Sequence, residues 1–280
     1  MAPSFGRSIS FPLSPARSSR PRAAAYHVRS VSLPGHSHPL LAHLCTHIAA
    51  VRTWIANPSS PSTGLAHLDT LHSALGELLL LPESRAALSH GSATAACLLD
   101  GFLLLADAHG AFQEAAVELK AQAIDAQAAL RRRDDNRLTS AVRSLRRVQK
   151  DIAQLATSVR TAAKFPTLSA STSAAEVDVS GALAEAVAAA ACASAAVFSA
   201  VGSVSAAATS CLAAKKTVTS SFISLVKSGK PAASDEVVSL ERLEEVEACL
   251  VATEGRSDKV FRSILHTRVS LLNIQTETCC

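Results

Sequence analysis

From Ser37 onward, apolar residues recur every three or four positions, the period of a helix with one buried face. Leu40, Leu41, Leu44, Ile48, Val51, Trp54 and Ile55 share a face, and the prolines of ANPSSPS end that helix. Leu65, Leu68, Leu71, Leu75 and Leu78 mark the inner stripe of a second helix. Pro82 then opens a short connecting one that SHGS breaks. A long helix follows over about 92–132. Its seam reads Leu98, Phe102, Leu105, His109, Phe112, Ala116, Leu119, Ala123, Ala126 and Leu130, stepping 4,3,4,3 without a slip. That is a heptad rhythm.

RRRDDN interrupts the rhythm. Arg131–Arg133 stand where the carbonyl end of a helix favours cations, and Asp134 or Asp135 is placed to cap the next one. The partner helix presents Leu138, Val142, Leu145, Val148, Ile152, Leu155 and Val159 before KFPTLSAST stops it. Two long helices joined by a short polar turn make an antiparallel hairpin. After the linker KSGKPAASDE, a last helical region carries Leu240, Leu243, Val246 and Leu250. A weak point at Gly255 precedes Phe261, Ile264, Leu265, Val269 and Leu272.

Between these elements lies a stretch with no charge from Glu185 to Lys215, 29 positions long. About 20 apolar residues suffice to cross a bilayer, so the stretch reads either as a span or as a buried bundle helix. Stepping 4,3,4,3 from Leu183 passes Val187, Ala190, Ser194, Val197, Val201, Val204, Ala208 and Cys211, then Lys215, Val218, Phe222 and Leu225. Only Phe198 among the large apolar residues of 187–204 falls beside that valine edge. A helix meeting lipid all round needs no such phasing, whereas one packing on partners does. The run holds only six Leu, Ile, Phe or Val residues against five serines and Thr209, so its gain on insertion is small. The phasing favours the bundle; a membrane-associated reading anchored by 186–214 is the alternative.

Composition agrees with the pattern. Hydrophobic residues make up 48% of the 280, aromatics only 4%, and much of the apolar content is alanine, a strong helix former. Eleven glycines and eleven prolines are few for a sandwich or barrel. The expected fold is all-α: an elongated antiparallel bundle over 37–276 with long coiled-coil-like helices, preceded by an arm over 1–36 and followed by a tail over 277–280. The arm is rich in Ser, Pro and Arg, a composition that reads as disordered. Residues 1–68 hold six arginines and no acid, whereas the remainder is nearly neutral at 21 bases against 23 acids. The arginines are dispersed rather than clustered, which suits a solvated tail better than a nucleic-acid contact. Seven scattered cysteines without a CxxC pair read as reduced thiols. A cytoplasmic location follows, with membrane association or a plastid transit peptide as alternatives.

The sharpest short motif occurs twice. RSISFP places Arg7, Ser10 and Pro12, and RSVSLP places Arg29, Ser32 and Pro34, in the same R-S-x-S-x-P frame. Arginine at −3 suits a basophilic kinase, and proline at +2 turns the chain out of a groove. Phosphorylated Ser10 and Ser32 would therefore suit 14-3-3 proteins. Their 22-residue offset lets both engage one dimer.

Other candidates carry less. GHSHPLLAHLCTH gathers His36, His38, His43, Cys45 and His47, with His43 and His47 one turn apart at a zinc-chelating spacing. Cys45 points elsewhere and two histidines precede the helix, so these read as polar histidines on the outer face of an amphipathic helix, with no metal or other cofactor expected. The ending TETCC is not a C-a-a-X box and reads as exposed thiols. His109, on the seam, is placed to set register or pair with a neighbouring helix. No phosphate-cradling loop, HExxH or comparable motif occurs, and no catalytic residue is assigned.

Three blocks carry a resemblance: YHVRSVSLPGHSHPL (26–40), LLDGFLLLADAHGAFQEAAVELK (98–120) with ALRRRDD (129–135), and VFRSILHTRVSLLNI (260–274). They are similar to signatures of the BYPASS-like family of land-plant proteins, a domain of unknown function, over about 26–276. The resemblance implies an α-helical, non-enzymatic protein linked to root and shoot development, with no catalytic residues to carry over. The Ala/Ser-rich middle helix departs from the family pattern. The expected role is a protein-interaction adaptor with a phosphorylation-regulated arm.

Overall fold

The computed structural model describes residues 38–89, 93–164, 174–220 and 232–277. Within them are α1 (Pro39–Ala56), α2 (Pro61–Leu79), the short α3 (Pro82–Ala87), α4 (Ala93–Arg132), α5 (Asp135–Val159), a 3-10 turn (Arg160–Ala163), α6 (Ala174–Ser220) and α7 (Ala232–Glu277). No strand occurs among the described residues. The all-α bundle expected from periodicity is the fold found. The arm with Arg7, Ser10, Pro12, Arg29, Ser32 and Pro34 lies outside the described residues. So do His36, the linker centred on 221–231, Phe222, Leu225 and the terminal cysteines.

Local chemistry sets the helix ends. Proline opens α1, α2 and α3 at positions whose N–H groups have no helical partner anyway. His38 Nδ1 accepts from Leu40 N (3.2 Å) and Ser60 Oγ from Thr63 N (3.2 Å). At the α4–α5 turn Asp134 caps α5, its Oδ1 accepting from Arg137 N at 3.0 Å. Asp134 N in turn donates back to Ala129 O at 3.0 Å, which forces Arg133 to φ 56°. Glycine usually fills that left-handed position.

Cross-helix pairs fix the directions. Going up α4, Lys120, Gln127 and Arg131 meet Glu254, Glu247 and Glu244 going down α7, so the two run antiparallel. Ser62 and Asp69 of α2 meet Ala252 and Lys259 of α7, a parallel pair. Gln149 of α5 donates to Ser205 Oγ of α6 at 2.7 Å. Arg52 of α1 pairs with Glu185 of α6. These ion pairs are exposed, and exposed pairs contribute little beyond register.

The core is the packed interior of this bundle, and α6 is its axis, touching every other described element. The valine edge expected there is found: Val187, Val197 and Val201 are buried and Val204 is half-buried. Burial does not stop at that edge, however. Of residues 186–198 only Cys192 is exposed, and Phe198, expected beside the stripe, is fully enclosed. A helix that admits six neighbours and the 3-10 turn along its length, leaving a strip through Cys192, Ser199 and Ser203 to solvent, needs small side chains, which is why alanine dominates. One close approach lies between α1 and α2, where Gly64 packs under Trp54. A methyl at Gly64 would collide with the indole ring and lie 2.8 Å from Val197 Cγ2. We expect Gly64→Ala to destabilise the protein by about 1–3 kcal/mol in a urea titration, the usual effect of overpacking. Half-buried Gly76, where an added methyl would meet nothing within 4 Å, is the control.

α7 corrects two expectations. It runs unbroken through Gly255, which is exposed and unobstructed. Its buried seam keeps strict heptad steps from Leu243 and Val246 through Leu250, Thr253, Ser257, Val260, Ile264, Thr267, Leu271 and Ile274. Ile264 is therefore in the core as expected, but Leu265, Val269 and Leu272 face solvent. Three polar residues hold core positions, and they hide the rhythm from a hydrophobicity reading.

Candidate functional site

Buried polar side chains occur on α2, α3, α4, α6 and α7, and the two buried histidines, His72 and His109, lie on α2 and α4. His109, on the α4 seam, and Ser194, on the expected α6 stripe, are both fully buried, with Nε2 and Oγ 2.8 Å apart. Ser194 has one hydroxyl proton, and it goes to Ala190 O at 2.9 Å. His109 must then donate Nε2–H to Ser194, which leaves Nδ1 as the bare nitrogen. That Nδ1 has no partner, nor has either ring nitrogen of buried His72.

Aromatic rings complete the cluster. Phe198 meets His109 edge-on at 5.2 Å and stacks on Phe112 at 4.3 Å, while Phe102 lies 5.9 Å from His72. Burial pushes the His72 pKa down to about 4 and the His109 pKa down to about 3. Both rings are neutral at physiological pH. A serine beside a histidine resembles a nucleophile and its base, but the proton order here is reversed, with histidine donating. The arrangement fixes the register of α4 against α6, the pairing that the seam position of His109 suggested.

A second feature is the groove between α4 and α7. A cavity of about 240 Å³ opens there over Phe112, Ala116 and Leu250, and Ser257 Oγ at its edge is buried without a partner. The Lys120–Glu254 ion pair, at 3.2 Å, crosses its rim. The volume falls below the ~300–1,000 Å³ of typical small-molecule sites.

The histidine cluster of α1 is only partly assembled. His38 is spent on the helix cap, and Cys45 is exposed. His43 and His47 bring their Nε2 atoms to 3.0 Å, with Glu77 of α2 at 3.8 Å from His43 Nδ1. Partial burial and the His43 ring lower the His47 pKa. Among the described residues no group of three or more His, Cys, Asp or Glu is arranged to hold a metal. Cys45, Cys97, Cys192, Cys211 and Cys249 carry free thiols.

His72 is the interior group that sequence reading passed over. It continues the 3,4 spacing of Leu65, Leu68, Leu75 and Leu79, and that spacing is the signal that marks it as buried. A family model described as Protein BPS1 matches residues 64–274. No curated protein and no solved structure is significantly similar to the chain.

Proposed function

The chain belongs to the BPS1 family, a plant family of unknown molecular function that is not a known enzyme family. On that footing we propose that it serves root and shoot development as a helical protein-interaction adaptor whose N-terminal arm is regulated by phosphorylation. The observation that carries this reading is the doubled R-S-x-S-x-P motif at Arg7–Pro12 and Arg29–Pro34. Each phosphorylated serine adds about −1.5 to −2 charge and three strong acceptor oxygens, the currency of arginine-lined phosphopeptide grooves. Two sites on one chain gain avidity toward a dimeric reader such as a 14-3-3 protein. After treatment with a basophilic kinase, the wild-type protein should retain 14-3-3 on a column, and Ser10→Ala/Ser32→Ala should lose at least 10-fold in affinity. Equal retention of both proteins refutes the regulated arm.

Membrane association is the second reading. α4 and the 178–213 part of α6 are each long and apolar enough to cross a bilayer. Against a span stands the packing of α6: insertion would strip from it the six helices it touches. The burial of Ala186, Ala189, Ala190, Ala191, Ala193 and Ala195 supports the bundle over the span.

A further inference from the structure

Ten large hydrophobic residues stand exposed among those described, and six of them are on α7. Five of the six, Val237, Val251, Leu265, Val269 and Leu272, fall on a single row stepping by threes and fours. That row lies opposite the buried seam, on the side turned away from the bundle. Gly255 is its midpoint and puts no side chain in the way of an approaching helix. A helix with one seam in its own core and a second, partly apolar seam outside is built for two contacts.

Charge says what the second contact is. Residues 232–254 of α7 carry seven acids and only Arg242, whereas 256–277 carry Arg256, Lys259, Arg262 and Arg268 against Asp258 and the terminal Glu277. The helix dipole favours acids at the start and bases at the end, but its influence fades within one turn at each end. It does not account for polarity sustained along the whole helix. A chain acidic in one half and basic in the other is complementary to itself when reversed. We propose that α7 pairs antiparallel with the α7 of a second copy, forming a two-fold symmetric dimer along its outer row.

Reversal about a point beside Gly255 aligns the row with itself. Val237 then meets Val269 of the second copy, Val251 meets its Gly255, Glu244 meets its Arg262, and Leu265 lies against the aliphatic stem of its Glu241. Each pairing occurs twice, as an isologous interface requires. The overlap of 237–269 is roughly 50 Å long at 1.5 Å per residue, enough for an interface of standard size. Glu244 and Arg262 now hold only exposed partners, Arg131 at 3.5 Å and Asp258 at 2.6 Å, and such pairs are readily exchanged.

The test is sedimentation equilibrium on the full chain with three variants. Wild type should sediment as a dimer of the 29.0 kDa chain. Glu244→Arg and Arg262→Glu should each weaken dimerisation at least 10-fold, because each sets like charges face to face across the axis. The double variant Glu244→Arg/Arg262→Glu restores opposite charges and should regain the dimer. Unchanged far-UV circular dichroism for these exposed substitutions confirms that all variants fold, since loss of the dimer would itself lower the melting temperature. A wild type that stays monomeric at hundreds of micromolar, singles that dimerise as well as wild type, or a double that remains monomeric each overturns the proposal. So does a monomer that binds phosphatidylserine vesicles through Leu265 and Arg262, since the row would then face lipid.

Discussion

Moving the purified protein from pH 7 to pH 5 should lower its unfolding free energy by about 4 kcal/mol through His72 and His109 alone, roughly 2 kcal/mol each. Both rings are fully enclosed, and burial holds their pKa values near 4 and 3. The unfolded chain takes up these protons near pH 6.5. Below that pH it binds more protons than the folded chain, so stability is complete above it and drains as pH falls. The loss levels off only near pH 4 for His72 and pH 3 for His109, where the folded rings would themselves be protonated. The measurement is a series of urea titrations across that range on wild type and on His72→Leu/His109→Leu. The double variant should lose most of the slope. At neutral pH, His72→Leu alone should raise the melting temperature, because it removes two buried nitrogens that have no hydrogen-bond partner. If the double variant keeps the full acid sensitivity, the buried histidines are not its source.

Whether a feature was legible in the sequence depended on whether burial and hydrophobicity agreed. In α4 and α5 they do. Of the ten seam residues of α4, nine are buried and Ala116 is half-buried, and Asp134 caps α5 as its chemistry suggests. In the second half of α7 they conflict. Thr253 and Thr267 bury their hydroxyls by donating to Cys249 O and Ser263 O on the preceding turn, so core positions look polar. Meanwhile the outer row carries Leu265, Val269 and Leu272. A reader following hydrophobicity slips from one face to the other.

The interior polar cluster shows a second limit. His109 stood out on its seam, but its partner Ser194 lies 85 residues away on another helix, and no local pattern records which helices meet. The collision waiting at Gly64 is equally invisible, since it depends on where Trp54 of the preceding helix comes to lie. The paired phosphorylation motifs are the opposite case. They are legible only as sequence, because their meaning rests on short-range spacing and on a modifying enzyme rather than on packing.

Two neighbouring substitutions in α6 separate the bundle from the membrane span. Ala193 is fully buried, whereas Cys192, one position earlier, is exposed. Leucine at either position raises the hydropathy of the uncharged run, and each leucine favours insertion by about −0.3 to −0.6 kcal/mol at mid-membrane. In a helix surrounded by lipid the two changes would be equally harmless. In the bundle they are far from equal. Ala193→Leu drives three extra carbons into a place where neighbouring helices already meet alanine, and should destabilise by about 3 kcal/mol. Cys192→Leu touches solvent and should stay within about 0.5 kcal/mol of wild type. Detergent-free urea titrations of the two variants supply the comparison, and carbonate washing of expressing cells adds a second readout. Equal stabilities, with both proteins retained in washed vesicles, would mean that the alanines of α6 face lipid. A large gap between the two variants instead ties the alanine content to close packing, since only a crowded interior distinguishes one side of this helix from the residue next to it.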